Sequence, residues 1–136
     1  MTRLALIATA FAITLLPHTA QAQSAMSGAE FEAYVTGKTL FFEADGQRYG
    51  VEEYLPNRRV RWSFLDGQCK EGEWFEQGAQ ICFVYEDNPS PQCWSFFESA
   101  RGLTATFENE PNGTVLYEID PAAGEEMLCL GPQVGV

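Results

Sequence analysis

Apolar and polar residues change rhythm twice along this chain. Leu4 to Leu16 is an almost unbroken apolar run. After a short polar lead, Phe31, Tyr34 and Val35 recur at helical spacing, and Ser27-Gly28-Ala29-Glu30 in front of them has the form of a capping box. Gly37 is placed to end that element, so the spacing predicts one short amphipathic helix from about Gly28 to Thr36. From Lys38 the pattern becomes short runs of aromatic and β-branched residues, broken by Asp45-Gly46, Pro56-Asn57, Asp66-Gly67, Gln77-Gly78, Asp87 to Pro91 and Glu110 to Gly113.

Those turn signals divide residues 39–119 into eight strands. They run over 39–43, 48–55, 59–65, 69–76, 81–85, 92–97, 103–108 and 114–119. Sequential antiparallel pairing that closes on itself abolishes exposed edges, so the expected fold is all-β, a small up-and-down barrel or curved meander with one N-terminal helix. The segment Met127 to Leu130 is expected to return to the barrel wall, and residues 131–136 to fray.

Three of the four cysteines and two of the three tryptophans fall between Cys69 and Trp94. With the tightest turns, Trp74 lies opposite Ile81 and Ile81 opposite Trp94, which puts all three on one face. Cys69, Cys82, Val84, Cys93 and Phe97 take the other. Cys82 then faces Cys93, whereas Cys69 is displaced from Cys82 by roughly 13 Å along a strand. The expected bridges are Cys82 with Cys93 and Cys69 with Cys129, and a bulge or longer turn would change them.

The first apolar run, preceded by Arg3 and followed by Pro17 and Ala20-Gln21-Ala22, reads as a secretory signal cleaved after Ala22. It is too short to span a bilayer. Residues 23–136 are then one exported domain, periplasmic or secreted, in which disulfides form. The only histidine, His18, leaves with the signal, and with it go Ser-His-Asp and Cys-His catalysis and histidine metal sites. No C-x-x-C pair, calcium loop or cofactor motif is present, so neither metal nor cofactor is expected.

The net charge is −11; loss of Arg3 leaves seven basic against nineteen acidic residues, or −12. Such a surface disfavours nucleic acid and favours solubility or a basic partner. Arg58, Arg59 and Arg61 could grip a carboxylate or phosphate, or pair with Glu52 and Glu53 across the Pro56-Asn57 turn. The carboxylate pairs Glu52 with Glu53 and Glu71 with Glu73 carry no specific sign of a glycosidase, whose acids must stand about 5–9.5 Å apart in a cleft. Aromatic residues exceed what one small barrel interior should hold, so some belong under the helix, at a barrel mouth or on an exposed patch. Trp62, Trp74 and Trp94, with the three arginines, are the candidate binding residues, and no catalytic residue is assigned. The expected role is a non-enzymatic binding or envelope accessory protein taking a small ligand or an envelope protein.

The pieces Gly37-Lys38-Thr39-Leu40, Asp66-Gly67-Gln68-Cys69-Lys70-Glu71-Gly72-Glu73-Trp74, Ile81-Cys82-Phe83 and Cys93-Trp94 resemble a family of small uncharacterised exported proteins of Gram-negative bacteria. The likeness covers roughly residues 28–98 and implies no catalytic residue. Asp45-Gly46-Gln47-Arg48-Tyr49 resembles, more weakly, the serine-glycine-x-x-tyrosine loop of periplasmic inhibitors of c-type lysozyme, which are small disulfide-bonded antiparallel barrels. Here Asp45 replaces the serine, and Lys70-Glu71-Gly72-Glu73-Trp74 does not match the tryptophan-x-lysine-glycine segment of those inhibitors. That resemblance implies the alternative role, inhibition of a basic enzyme such as c-type lysozyme.

Overall fold

The computed structural model describes residues 22–131, so the run up to Gln21 expected to be a signal, and the chain end from Pro132 expected to fray, lie outside the described residues. Helix α1 (Gly28–Val35) begins at the capping box: the Ser27 hydroxyl accepts from the Glu30 amide, and the Glu30 carboxylate accepts from the Ser27 amide at 2.8 Å. Thr36 caps the other end, and Gly37 follows at φ +82°, a left-handed conformation open to glycine.

Eight antiparallel strands follow in chain order and close on themselves. They are β1 (Thr39–Ala44), β2 (Gln47–Tyr54), β3 (Arg59–Ser63), β4 (Lys70–Gln77), β5 (Gln80–Tyr85), β6 (Asn88–Ser99), β7 (Gly102–Phe107) and β8 (Val115–Ile119). Closure is made by β8 pairing with β1, Phe41 opposite Ile119. Every strand therefore has two neighbours, as the short turns between runs predicted.

Three local differences from the sequence expectation have physical reasons. The β4–β5 turn is Gly78-Ala79 rather than Gln77-Gly78, with Gln77 opposite Gln80. Gly78, at φ +62°, occupies the first loop position, where a two-residue hairpin calls for a positive φ. Trp74 consequently faces Phe83 instead of Ile81, a shift of two residues that leaves every side chain on its expected face. Second, Asn88-Pro89-Ser90-Pro91 belongs to β6 and not to the turn. Its prolines are tolerated because pairing with β5 is irregular between Phe83–Gln92 and Tyr85–Asn88. Third, Met127 to Leu130 reaches the barrel wall without forming a strand; Leu130 donates its amide to the Gly67 carbonyl at 2.7 Å.

Both bridges are the expected ones. Cys82 and Cys93 are directly opposed on β5 and β6, and Cys69 ties the start of β4 to Cys129. The latter bridge, with the Arg48–Glu125 ion pair at 2.9 Å, straps the C-terminal segment across the outer wall over Phe41.

The helix plugs one end of the barrel. Phe31, fully buried, meets Tyr54, Trp74 and Phe83 edge-on at centroid distances of 5.7, 5.1 and 6.2 Å, and Phe96 at 4.4 Å. Acidic side chains of the wall hold the plug: Glu76 accepts from the Gly28 amide and Glu118 from the Tyr34 hydroxyl, both at 2.8 Å. Among the described residues no helix is long and apolar enough to cross a membrane.

Candidate functional site

The end of the barrel opposite α1 stays open. Side-chain alternation sends Glu52 and Tyr54 of β2, Trp62 of β3, Phe83 and Tyr85 of β5 and Trp94 and Phe96 of β6 inward. Together they line a cavity of about 160 Å³. Its floor is the ring layer of Tyr54, Phe83 and Phe96, under which Phe31 sits. Its rim carries Tyr49, Phe64, the Lys70–Asp87 ion pair, Asn88 and Gln92.

Two glycines in the wall make room for the large rings. A Cβ on Gly50 would stand 2.2 Å from the Trp62 ring, and one on Gly72 would stand 2.7 Å from the Tyr85 ring. Glycine at these inward positions lets Trp62 and Tyr85 lie flat across the neighbouring strand. At the rim Tyr49, Trp62 and Phe64 form a triangle of tilted and edge-on contacts with centroids 5.3–5.9 Å apart. Phe64 is 50% exposed, a large apolar ring left at the opening.

One carboxyl side chain is buried in this aromatic wall. Glu52 is 2% exposed, and the Tyr85 hydroxyl donates to its carboxyl, 3.0 and 3.1 Å from the two oxygens. Burial holds the carboxyl well above the ordinary carboxylate range, with the Tyr85 hydrogen bond pulling the other way. Burial, reinforced by the charge of Glu52, also raises the hydroxyls of Tyr54 and Tyr85.

The tryptophans expected to bind divide between the two ends. Trp62 and Trp94 line the cavity, whereas Trp74 is 3% exposed and packs beneath the helix plug, its ring covered by the Arg58 guanidinium at 4.6 Å. The three arginines are on the outside and engaged: Arg58 with Glu32 at 3.1 Å, Arg59 with Glu71 at 3.4 Å, and Arg61 with Glu71 at 2.7 Å and Glu53 at 3.3 Å. Of the pairing expected across the Pro56-Asn57 turn, Arg61 with Glu53 forms; Glu52 is inside the barrel. Adjacent residues of one strand point to opposite faces, so Glu52 and Glu53 share no cleft.

Glu52 was named in the sequence only as an arginine partner and as half of a carboxylate pair, and neither it nor Tyr85 was among the candidate binding residues. Glutamates on both faces of β2 hide which one is inward, and only the inward glycine two residues before it, Gly50, and the tryptophan paired across from it, Trp62, mark the face. Among the described residues no cluster of histidine, cysteine and carboxylate side chains could hold a metal ion. The chain matches no family model, no curated protein and no solved structure.

Proposed function

We propose that this is an exported, non-enzymatic binding protein that takes a small ligand into the open end of its barrel. The reading rests on one observation, a cavity walled by aromatic rings, floored above the Phe31 plug and open at the rim. A cavity of about 160 Å³ compares with the ~150 Å³ apolar cavities that hold one benzene-sized molecule. Ligands of single-ring size therefore fit the interior, and longer ones extend past Phe64. Two disulfides together with the N-terminal apolar run support export to an oxidising compartment, the periplasm or the exterior. The absence of a second histidine beside His18 in the sequence supports a binding role over acid–base catalysis.

Titration of the protein with benzyl alcohol, followed by tryptophan fluorescence and calorimetry, tests the reading. Saturable binding that weakens at least tenfold in Trp94→Ala is the expected result. Trp74→Ala, by contrast, removes a buried ring and should cost about 3–5 kcal/mol of stability while leaving affinity at low temperature nearly unchanged. Absence of saturable binding in the folded wild type contradicts the proposal.

A second reading, inhibition of a basic enzyme such as c-type lysozyme, is favoured by the exposed Asp45-Gly46 tip of the β1–β2 hairpin on a chain of net charge −11. Lysozyme keeping full activity with micromolar protein at low salt, where attraction is strongest, removes it.

A further inference from the structure

The position of Glu52 says more about the occupant of this cavity, granted that the cavity is a binding site. A carboxyl group inside a barrel is expensive to fold around, since its charged form loses its water and gains little from an apolar wall. In this barrel its direct hydrogen-bond partner is a single tyrosine hydroxyl, which does not compensate an ionised carboxylate. An apolar side chain opposite Trp62 would serve the core better. A destabilising acid facing a cavity has a physical rationale when a ligand supplies the missing counter-charge.

The walls point to the same counter-charge. Aromatic faces carry negative quadrupole density and attract cations within about 6 Å, most strongly tryptophan and tyrosine, and a desolvated cation gains most. Trp62, Trp94, Tyr54 and Tyr85 surround the space in front of Glu52. Lys70, the one cation at the rim among the described residues, is paired with Asp87 and lies over the Phe64 ring at 5.6 Å, so it supplies no counter-charge to Glu52. The chain as a whole, at −11, concentrates cations around itself.

We infer that the barrel binds a small organic cation, a protonated amine on an apolar or single-ring body, with its ammonium against Glu52 and Tyr85 and its body among Trp62, Trp94 and Phe96. Anionic ligands are repelled by the same carboxyl. Neutral ligands of equal size bind through the rings alone.

Three one-ring probes of matched size test this: benzylamine, benzyl alcohol and benzoate, titrated calorimetrically at neutral pH. Benzylamine should bind at least tenfold more tightly than benzyl alcohol, with benzoate weakest. In Glu52→Gln the benzylamine affinity should fall at least tenfold, so that the preference for benzylamine over benzyl alcohol is lost. Nuclear Overhauser contacts from the benzylamine methylene to the Tyr85 ring in the wild type give a readout that needs no substitution. Benzyl alcohol or benzoate binding as tightly as benzylamine, or methylene contacts confined to Phe64 and the rim, overturns the cation assignment while the cavity remains a binding site. If none of the three binds, the cavity reading falls together with this inference.

Discussion

Glu52 and Glu53 are chemically identical neighbours, and one backbone step separates a surface charge from a buried acid. Glu53 meets Arg61 at the outer wall; Glu52 meets Tyr85 inside. Because burial raises the Glu52 carboxyl in the folded state above its ordinary value of 4.5, the folded chain holds its proton more tightly than the unfolded chain does. Its contribution is then fully present below that ordinary value and is lost as pH rises through the folded-state value. Thermal melts should accordingly show the wild type losing stability relative to Glu52→Gln as the pH rises above the ordinary value of 4.5, with the variant the more stable at the alkaline end. Parallel pH profiles for the two proteins would contradict the burial of a free acid there. This residue was hidden in the sequence for a local reason: β2 has a glutamate on each face, so alternation alone could not say which turned inward. Trp62 and Trp94, by contrast, were named from the sequence as candidate binding residues, and both line the cavity. Trp74 shares their face but sits at the plugged end, and position along the barrel axis is not written in a period of two.

At the level of elements, the capping box at Ser27, the helix and all eight strands could be read from periodicity and turn residues, since each signal is local. Turn placement was less secure. A two-residue slip at Gly78 and the absorption of Pro89 and Pro91 into β6 depended on irregular pairing that only the partner strand reveals. The even size of the slip preserved the faces of β4, and the Cys82–Cys93 bridge was correct because the β5–β6 register, Ile81 opposite Trp94, is the expected one. The second bridge has a different task, holding a segment without strand pairing against the outer wall. Loop closure over 60 residues makes it worth about 4 kcal/mol, against about 3 for the 11-residue separation of Cys82 and Cys93. Replacing Cys69 and Cys129 by alanine should lower stability by about that amount and free the tail. Hydrogen exchange would then show the Leu130 amide unprotected while the amides of β5 and β6 keep their protection, and continued protection of Leu130 would show that the strap is held without the bridge.

For the whole molecule, the surplus of aromatic residues falls mainly in three places, with Tyr117 left exposed. One lies beneath the helix around Phe31, one lines the cavity and its rim, and Phe41 lies outside under the C-terminal segment. A closed eight-stranded barrel has an interior that side chains just fill. Filling only the half nearest the helix leaves the other half as a cavity, and Gly50 and Gly72 let the remaining rings flatten against the wall. The fold class followed from the chain's rhythm; the division of the interior into plug and cavity did not, because it depends on how deep each ring reaches.

The three indole N–H signals of the protein report both halves of that interior at once. In a nitrogen–proton correlation spectrum titrated with benzylamine, the Trp62 and Trp94 indole signals should shift progressively to saturation while that of Trp74, beneath the plug, stays fixed. A titration that moves Trp74 alone, or leaves all three in place, would contradict a ligand site at the open end of the barrel.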